Sequence, residues 1–162
     1  MRLRVAAVTV IAFGLILIAS GCSERSRFDV WIAQQGFTVK HEPVPCAVFP
    51  RNCGGIGQTD IVNRIIYLDD ARIAHMQLSQ NQRDPSVDVA TFIYYHEWSH
   101  VADWKAGFVE GIGDLQFEHA AQCGMELLLG RTYDFFQPAV YWDCPDANLA
   151  KTRWVWTAFR II

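Results

Sequence analysis

The sequence predicts a mixed α+β domain in which two long helices pack against a small sheet. Residues 86–106 carry an uncharged, largely apolar helix face, and residues 114–129 form a second helical stripe that ends at a glycine. Residues 61–68 alternate between two sets of side chains at the period of a β-strand. One strand-like segment beside two long helices indicates the α+β class.

The N-terminal segment has the composition of an export signal. Arg2 and Arg4 form a positive start, and residues 5–19 form an apolar core that is too short for a comfortable membrane span. The run Ala19-Ser20-Gly21-Cys22 resembles a bacterial lipobox, in which the cysteine is lipidated and becomes the mature N-terminus. An ordinary signal peptide or an uncleaved anchor is the alternative, and each version exports the bulk of the chain.

This signal sets the predicted organisation of the chain. We expect a lipoprotein signal peptide at 1–21, a polar tether at 22–27 and one domain at 28–162, lipid-anchored in the bacterial cell envelope and facing the periplasm or the exterior. The full chain has 14 Lys and Arg against 17 Asp and Glu, with no basic run, so we expect no nucleic-acid partner.

The first half of the domain is predicted to consist of short elements separated by turns. The predicted elements are a helix from Phe28 to Gln35 that stops at Gly36, a strand at 37–41, a turn-rich stretch at 43–57, a strand at 61–68 and a helix at 71–80. His41 and His75 have no partner at a ligand spacing and are predicted to be ordinary polar residues.

Four cysteines remain if Cys22 carries lipid. An even number in an oxidising compartment predicts two disulfides, for which three pairings are possible. We favour Cys46 with Cys53, which closes a turn-rich loop, and Cys123 with Cys144, which ties a helix to the C-terminal segment. The chain has no C-x-x-C pair, so we do not expect cysteine ligands to a metal.

The helix at 86–106 contains the H-E-x-x-H run His96-Glu97-Trp98-Ser99-His100. Ser86 or Asp88 is expected to cap its start and Gly107 to end it. Residues four apart lie on one helical face, so both imidazoles can reach one zinc ion, and Glu97 can deprotonate a water bound to that ion. Asp103, on the same face, is either a hydrogen-bond partner near the site or, more simply, a solvated acid at the helix end.

The second long helix is predicted from Asp114, as its cap, through Leu129 to a stop at Gly130. Its apolar stripe consists of Phe117, Ala121, Met125 and Leu128. The C-terminal residues 154–162 fit either a strand or a helix.

The second helix also carries Glu118-His119-Ala120-Ala121-Gln122-Cys123. Together with the H-E-x-x-H run, this segment resembles the gluzincin-type zinc metallopeptidases of bacteria, in particular the neutral zinc metallopeptidases with a second motif E-x-x-A-D-C. The resemblance covers residues 86–130 and implies a zincin-like fold, with the strand at 61–68 as the edge strand of the cleft. It implies His96, His100 and Glu118 as zinc ligands and Glu97 as the catalytic base.

The chain departs from this family at Gln122, where the family has aspartate. The resemblance implies that this residue orients a metal-binding histidine, and an uncharged amide raises the basicity of that histidine less than a carboxylate does. A metallopeptidase also needs a group that stabilises the oxyanion, and the sequence offers His119, Tyr133 and Tyr141 as candidates. For His119 the favoured interpretation is simpler, a surface residue or one that lies behind the metal ligands.

We therefore expect an envelope-anchored zinc metallopeptidase that acts on peptides or proteins. One alternative is a non-catalytic, zinc-binding lipoprotein that serves as a binding or assembly module. Others are a hydrolase of non-peptide amides and a disulfide-stapled structural lipoprotein in which the motif is accidental.

Overall fold

The computed structural model describes residues 24–50, 53–107, 114–130 and 144–162. Within them the fold is mixed α+β, as predicted. The elements in chain order are α1 (Glu24–Gln34), β1 (Thr38–Lys40), β2 (Gly57–Asp60), β3 (Ile65–Leu68), α2 (Asp70–Asn81), α3 (Val89–Lys105), α4 (Asp114–Leu129) and α5 (Asp146–Ala158). None of the helices described is both long and apolar enough to cross a membrane. The predicted signal peptide and Cys22 lie outside the described residues.

Helix α1 begins earlier than the sequence predicted. Its first turns occupy most of the stretch assigned to a polar tether, since the helix starts at Glu24 rather than Phe28. Arg25 helps to hold this first turn against the domain, because its guanidinium lies 2.9 Å from the carboxylate of Asp70 at the start of α2.

The sheet has three strands with β3 in the middle, in the order β1-β3-β2. Strand β1 runs parallel to β3, with Thr38 opposite Ile65, and β2 runs antiparallel to β3, with Gly57 opposite Leu68. The β3 sequence is a continuous apolar run, which is typical of a strand covered on both faces. Its Ile66 is fully buried.

The predicted edge strand at 61–68 was wrong in its extent and its position. The strand starts only at Ile65, because the preceding residues form a turn in which Arg64 has φ 56°. Asp60 closes this turn, since its carboxylate accepts hydrogen bonds from the backbone and side chain of Asn63 at 3.0 and 2.8 Å. The edge beside helix α3 is therefore β2, which the sequence analysis had placed partly in a turn-rich stretch.

The two long helices have the ends that their sequences indicate. Asp88 caps α3, and its side chain accepts hydrogen bonds from the amides of Ala90 and Thr91 at 3.0 and 3.3 Å. Gly107 follows its last turn with φ 81°, a conformation that favours glycine. Helix α4 spans Asp114–Leu129 and is followed by a glycine with positive φ. Its end is the predicted one, whereas Asp114, predicted as the cap, is its first residue.

The C-terminal segment, which the sequence left open, forms helix α5 behind α3 and α4. Trp156 anchors it: the side chain is fully buried, and its indole N–H donates to Asp103 Oδ1 at 2.9 Å. Gly124 of α4 makes room for the ring, because a Cβ there would lie 2.5 Å from the indole Cη2. A single tryptophan thus touches both long helices.

Both favoured cysteine pairings are confirmed at bonding distance. Cys46 and Cys53 have Cα atoms 4.4 Å apart, and Cys123 and Cys144 have Cα atoms 5.3 Å apart. The second pair joins α4 to the segment that leads into α5. The main apolar core lies between the sheet and helices α1 to α4, and it includes Phe28, Ile32, Phe37, Ile66, Leu68, Ile73, Val89, Phe92 and Met125.

Candidate metal centre

His96 and His100 lie one turn apart on the same face of α3. Their rings meet edge to face, with centroids 4.8 Å apart and an interplanar angle of 89°. His100 is almost fully buried and His96 is partly buried, with side-chain exposures of 3% and 14%. The helical spacing alone produces this pairing, as the sequence predicted.

Glu118 reaches the two histidines from helix α4. Its Oε2 lies 3.1 Å from His96 Nε2, and its Oε1 lies 3.5 Å from His100 Nε2. One donor atom from each of the three residues lies within 4.8 Å of the others, an arrangement that could hold a metal ion. Glu118 is the most exposed of the three, with 41% of its side chain accessible, so the cluster opens to solvent on its side.

The donor set fits the ion that the sequence predicts. Two imidazole nitrogens and one carboxylate form a known ligand set of catalytic zinc, in which a fourth position stays free for water. The donor atoms of the three residues lie close together. Without a cation among them, a carboxylate and two imidazoles placed in this way have to share protons. A cation placed among them would satisfy the carboxylate charge and both ring nitrogens.

Charge couples the three residues even without a metal. Burial opposes ionisation of Glu118, but hydrogen bonds and charge from His100 and His96 outweigh it and hold the pKa of Glu118 well below its usual range. Burial likewise disfavours protonated His100, yet the hydrogen bond and charge of Glu118 outweigh this effect and raise the pKa of His100 above 6.5. Charge thus links Glu118 on α4 to His100 on α3.

Glu97 lies beside this cluster and is held against strand β2. Only 4% of the residue is exposed, and its Oε2 accepts a hydrogen bond of 2.5 Å from the hydroxyl of Thr59. Burial raises the pKa of Glu97, although the charges of His100 and His96 and the Thr59 hydrogen bond act in the opposite direction. Gly57 permits the close approach, because a Cβ there would collide with Glu97 Oε1.

Gln122 is buried one turn beyond Glu118, but it bonds to neither histidine. Its carboxamide nitrogen donates to Glu126 Oε1 at 3.0 Å, and its Oε1 has no hydrogen-bond partner within the described part of the chain. The predicted role of Gln122 in orienting a metal-binding histidine therefore stays a prediction, with no hydrogen bond to support it.

The simpler of the two roles predicted for Asp103 is wrong. The residue is only 2% exposed, so it is not a solvated acid at the helix end. Burial raises its pKa to about 6, although the Trp156 hydrogen bond and the two histidines lower it. Its Oδ2 has no hydrogen-bond partner among the residues described. Asp103 thus joins α5 to helix α3.

Other predicted site residues lie at or beyond the margin of the described chain. Tyr133 and Tyr141 fall in the undescribed stretch 131–143, so their candidacy as oxyanion donors stays a prediction. His119 is partly buried next to Glu118. Cys123, which neighbours Gln122 on α4, is engaged in its disulfide and is thereby unavailable to a metal.

Two cavities lie on other parts of helix α3. One, of about 210 Å³, lies between α1 and α3 and is lined mainly by the aromatic residues Phe28, Trp31, Tyr94, Tyr95 and Trp98. Helical spacing puts its α3 residues opposite the histidine face. A second cavity, of about 400 Å³, is lined by residues of α1, α2, α3 and the loop between the last two. Neither of these two cavities is lined by His96, His100 or Glu118.

Sequence reasoning missed the contacts made by residues of β2 and α5. Thr59 and Gly57 lie in a short strand without an apolar alternation, and Trp156 lies in a segment of ambiguous period. The local signal for the contact with Glu97 was a small residue, Gly57, two positions before a hydroxyl residue, Thr59. Such a pair is a weak signal in any sequence.

The chain matches no protein-family model, no curated protein and no solved structure.

Proposed function

We propose that the protein is a zinc-dependent metallopeptidase with a zincin-like site, in which His96, His100 and Glu118 hold the ion. The observation that carries the proposal is the convergence of these three donors beside a buried glutamate, Glu97, that does not belong to the ligand set. A purely structural metal site has no need of such a base. The same helix supplies two ligands and the base, which the H-E-x-x-H arrangement requires.

The chemistry divides between the ion and the chain. A bound zinc ion would lower the pKa of its water from 15.7 toward about 7 and polarise the scissile carbonyl. Glu97 accepts the proton of the attacking water and passes it to the nitrogen of the leaving amine. The carboxylate of Glu97 accepts a hydrogen bond from Thr59, and burial excludes bulk water that would compete for the proton.

The proposed location and substrate follow from the N-terminal signal. We propose that lipidation at Cys22 anchors the domain to the cell envelope, with a peptide or protein of that compartment as substrate. Since α1 begins at Glu24, only a short stretch would separate the lipid from the folded domain. Such a tether would restrict cleavage to substrates near the membrane surface.

The decisive experiment combines zinc content with hydrolysis of a mixed-sequence, quenched fluorogenic peptide library. We expect the full-length protein, purified in detergent under oxidising conditions, to contain about one zinc per chain and to cleave the library. Glu97→Gln should keep the zinc and lower hydrolysis by about 10²- to 10⁴-fold, the usual contribution of a general base. Glu42→Gln, at an exposed glutamate, is the matched control and should behave like the parent.

The second candidate is a zinc-binding lipoprotein without catalytic activity. Gln122 favours it, because the residue that should orient a histidine instead bonds to Glu126. This candidate predicts one tightly held zinc and no cleavage by either the parent or Glu97→Gln. Absence of zinc from the parent, even after reconstitution, would contradict both candidates.

A further inference from the structure

Strand β2 presents two residues to Glu97, and they act in complementary ways. Gly57 and Thr59 are two positions apart, so their substituents project from the same face of the strand. Gly57 contributes empty space, because a Cβ there would lie 3.0 Å from Glu97 Cδ and closer still to Oε1. Thr59 contributes a hydroxyl that bonds to the other carboxylate oxygen.

The sheet fixes where this hydroxyl lies. Thr59 pairs with Ile66 in the antiparallel ladder between β2 and β3, and its neighbours on both sides in β2 are paired as well. Thr59 is 5% exposed and Glu97 is 4% exposed, so neither side chain can exchange its partner for bulk water. The separation of 2.5 Å is in the range of a charge-assisted bond from a hydroxyl to a carboxylate.

We propose that Thr59 is the positioning residue of Glu97, holding its carboxylate beside the metal centre in the orientation that proton transfer requires. The inference rests on the proposed function, in which Glu97 is the general base. With Oε2 bonded to Thr59, Oε1 is the oxygen left to carry the proton. A base displaced by about 1 Å loses on the order of 10²-fold in rate, which is why a single hydroxyl matters here.

Thr59→Val tests this role, since it removes the hydroxyl and keeps the shape of the side chain. For the peptide that the library shows to be cleaved best, we expect kcat to fall by about 10- to 100-fold while KM and zinc content stay at the parent values. Thr59→Ser should restore most of kcat. In a Glu97→Gln background, Thr59→Val should cause no further loss. A merely structural threonine would not produce this combination.

The control is Thr91, which lies on α3, the helix that carries Glu97. Thr91 donates to a carboxylate oxygen of Asp88 at 2.9 Å, at the far end of α3. Thr91→Val therefore removes the same kind of hydrogen bond away from the metal centre. We expect its kcat to equal that of the parent. A loss equal to that of Thr59→Val would overturn the proposal.

A second measurement needs no activity at all. In the metal-free protein, the melting temperatures of Thr59→Val, Glu97→Ala and the double variant form a cycle that should be non-additive by about 3 °C or more, because each single variant removes the Thr59–Glu97 hydrogen bond. Additive shifts would overturn the proposal even if the enzyme is active.

If the parent shows no hydrolysis, the proposed function fails, and the cycle still decides whether Thr59 holds Glu97. If the parent is active and Thr59→Val retains full kcat, the inference alone fails.

Discussion

His41 and the pair His96 and His100 all contact carboxylates, but the contacts have opposite geometries. His41 lies between Asp70, 3.0 Å from its Nδ1, and Asp29, 3.3 Å from its Nε2. Its two ring nitrogens therefore bond in opposite directions. The carboxylates belong to different helices, so His41 connects α1 to the start of α2 just beyond strand β1.

In the candidate metal centre the donor atoms converge. His96 and His100 both present Nε2 to a single carboxylate, that of Glu118. The comparison teaches that histidine and carboxylate in contact do not by themselves make a metal site. What distinguishes the sites is whether the donor atoms share one point, because an ion binds several donors at about 2.0–2.2 Å simultaneously.

The largest expected effect comes from removing the carboxylate of Glu118, which both histidines of the convergent cluster contact. Glu118→Ala should weaken zinc binding by more than about 100-fold, since even outer partners of ligands are worth 10- to 100-fold. Asp70→Ala makes the same change at the other cluster and should leave zinc affinity unaltered. Competition with a chromophoric chelator measures both. Equal zinc affinity in Glu118→Ala and the parent would remove Glu118 from the site.

Asp103 sharpens the comparison because it is a buried acid without a histidine partner at hydrogen-bond distance in the described structure. Its pKa in the folded protein, about 6, exceeds its ordinary value of 3.8. The folded state thus holds the proton more tightly, and stability falls as pH rises from about 4 through about 6. Above this window the ionised residue costs up to about 3 kcal/mol.

Asp103→Asn should remove this cost, since an amide oxygen can still accept the Trp156 hydrogen bond without carrying charge. We expect the metal-free variant to be more stable than the parent at pH 7 and no more stable near pH 4. Urea unfolding at both pH values measures the difference. A variant that is less stable than the parent at pH 7 would show that the charge of Asp103 stabilises the folded protein.

Zinc binding should also depend on pH through the convergent cluster. Glu118 raises the pKa of His100 above 6.5 in the metal-free protein, so this proton must leave before zinc binds. Apparent affinity should therefore fall as the pH drops through the raised pKa of His100. Glu118 stays ionised across this range, because its pKa is lowered. Titration calorimetry between pH 5.5 and 8 provides the measurement, and a flat affinity would contradict this expectation.

The smallest effect is expected at the divergent cluster. His41→Ala removes hydrogen bonds to two partly exposed carboxylates, and each such bond contributes about 0.5–1.5 kcal/mol. We expect a loss of about 1 kcal/mol in the free energy of unfolding, with zinc content unchanged. Thermal unfolding and zinc analysis of the same samples test both parts. Loss of zinc in His41→Ala would show that the two clusters are coupled.

The helices of the site were the best-predicted part of the molecule. Asp88, Gly107 and Gly130 mark helix ends through the local conformations and caps that each residue type favours. Strand 61–68 was placed less well, because alternation of side chains continued through a turn that Asp60 closes with its side chain. Period alone does not distinguish a strand from a turn that precedes it.

The sequence by itself determined that His96, Glu97 and His100 share a helix, with both histidines on one face, because that placement depends only on helical geometry and local end signals. The tertiary structure decided which residues complete the cluster. The contact of Glu118 with His96 spans 22 residues, and that of Thr59 with Glu97 spans 38. No local preference links positions so distant. Their meeting depends on how α4 and β2 pack against α3, and burial of apolar surface over the whole domain drives that packing.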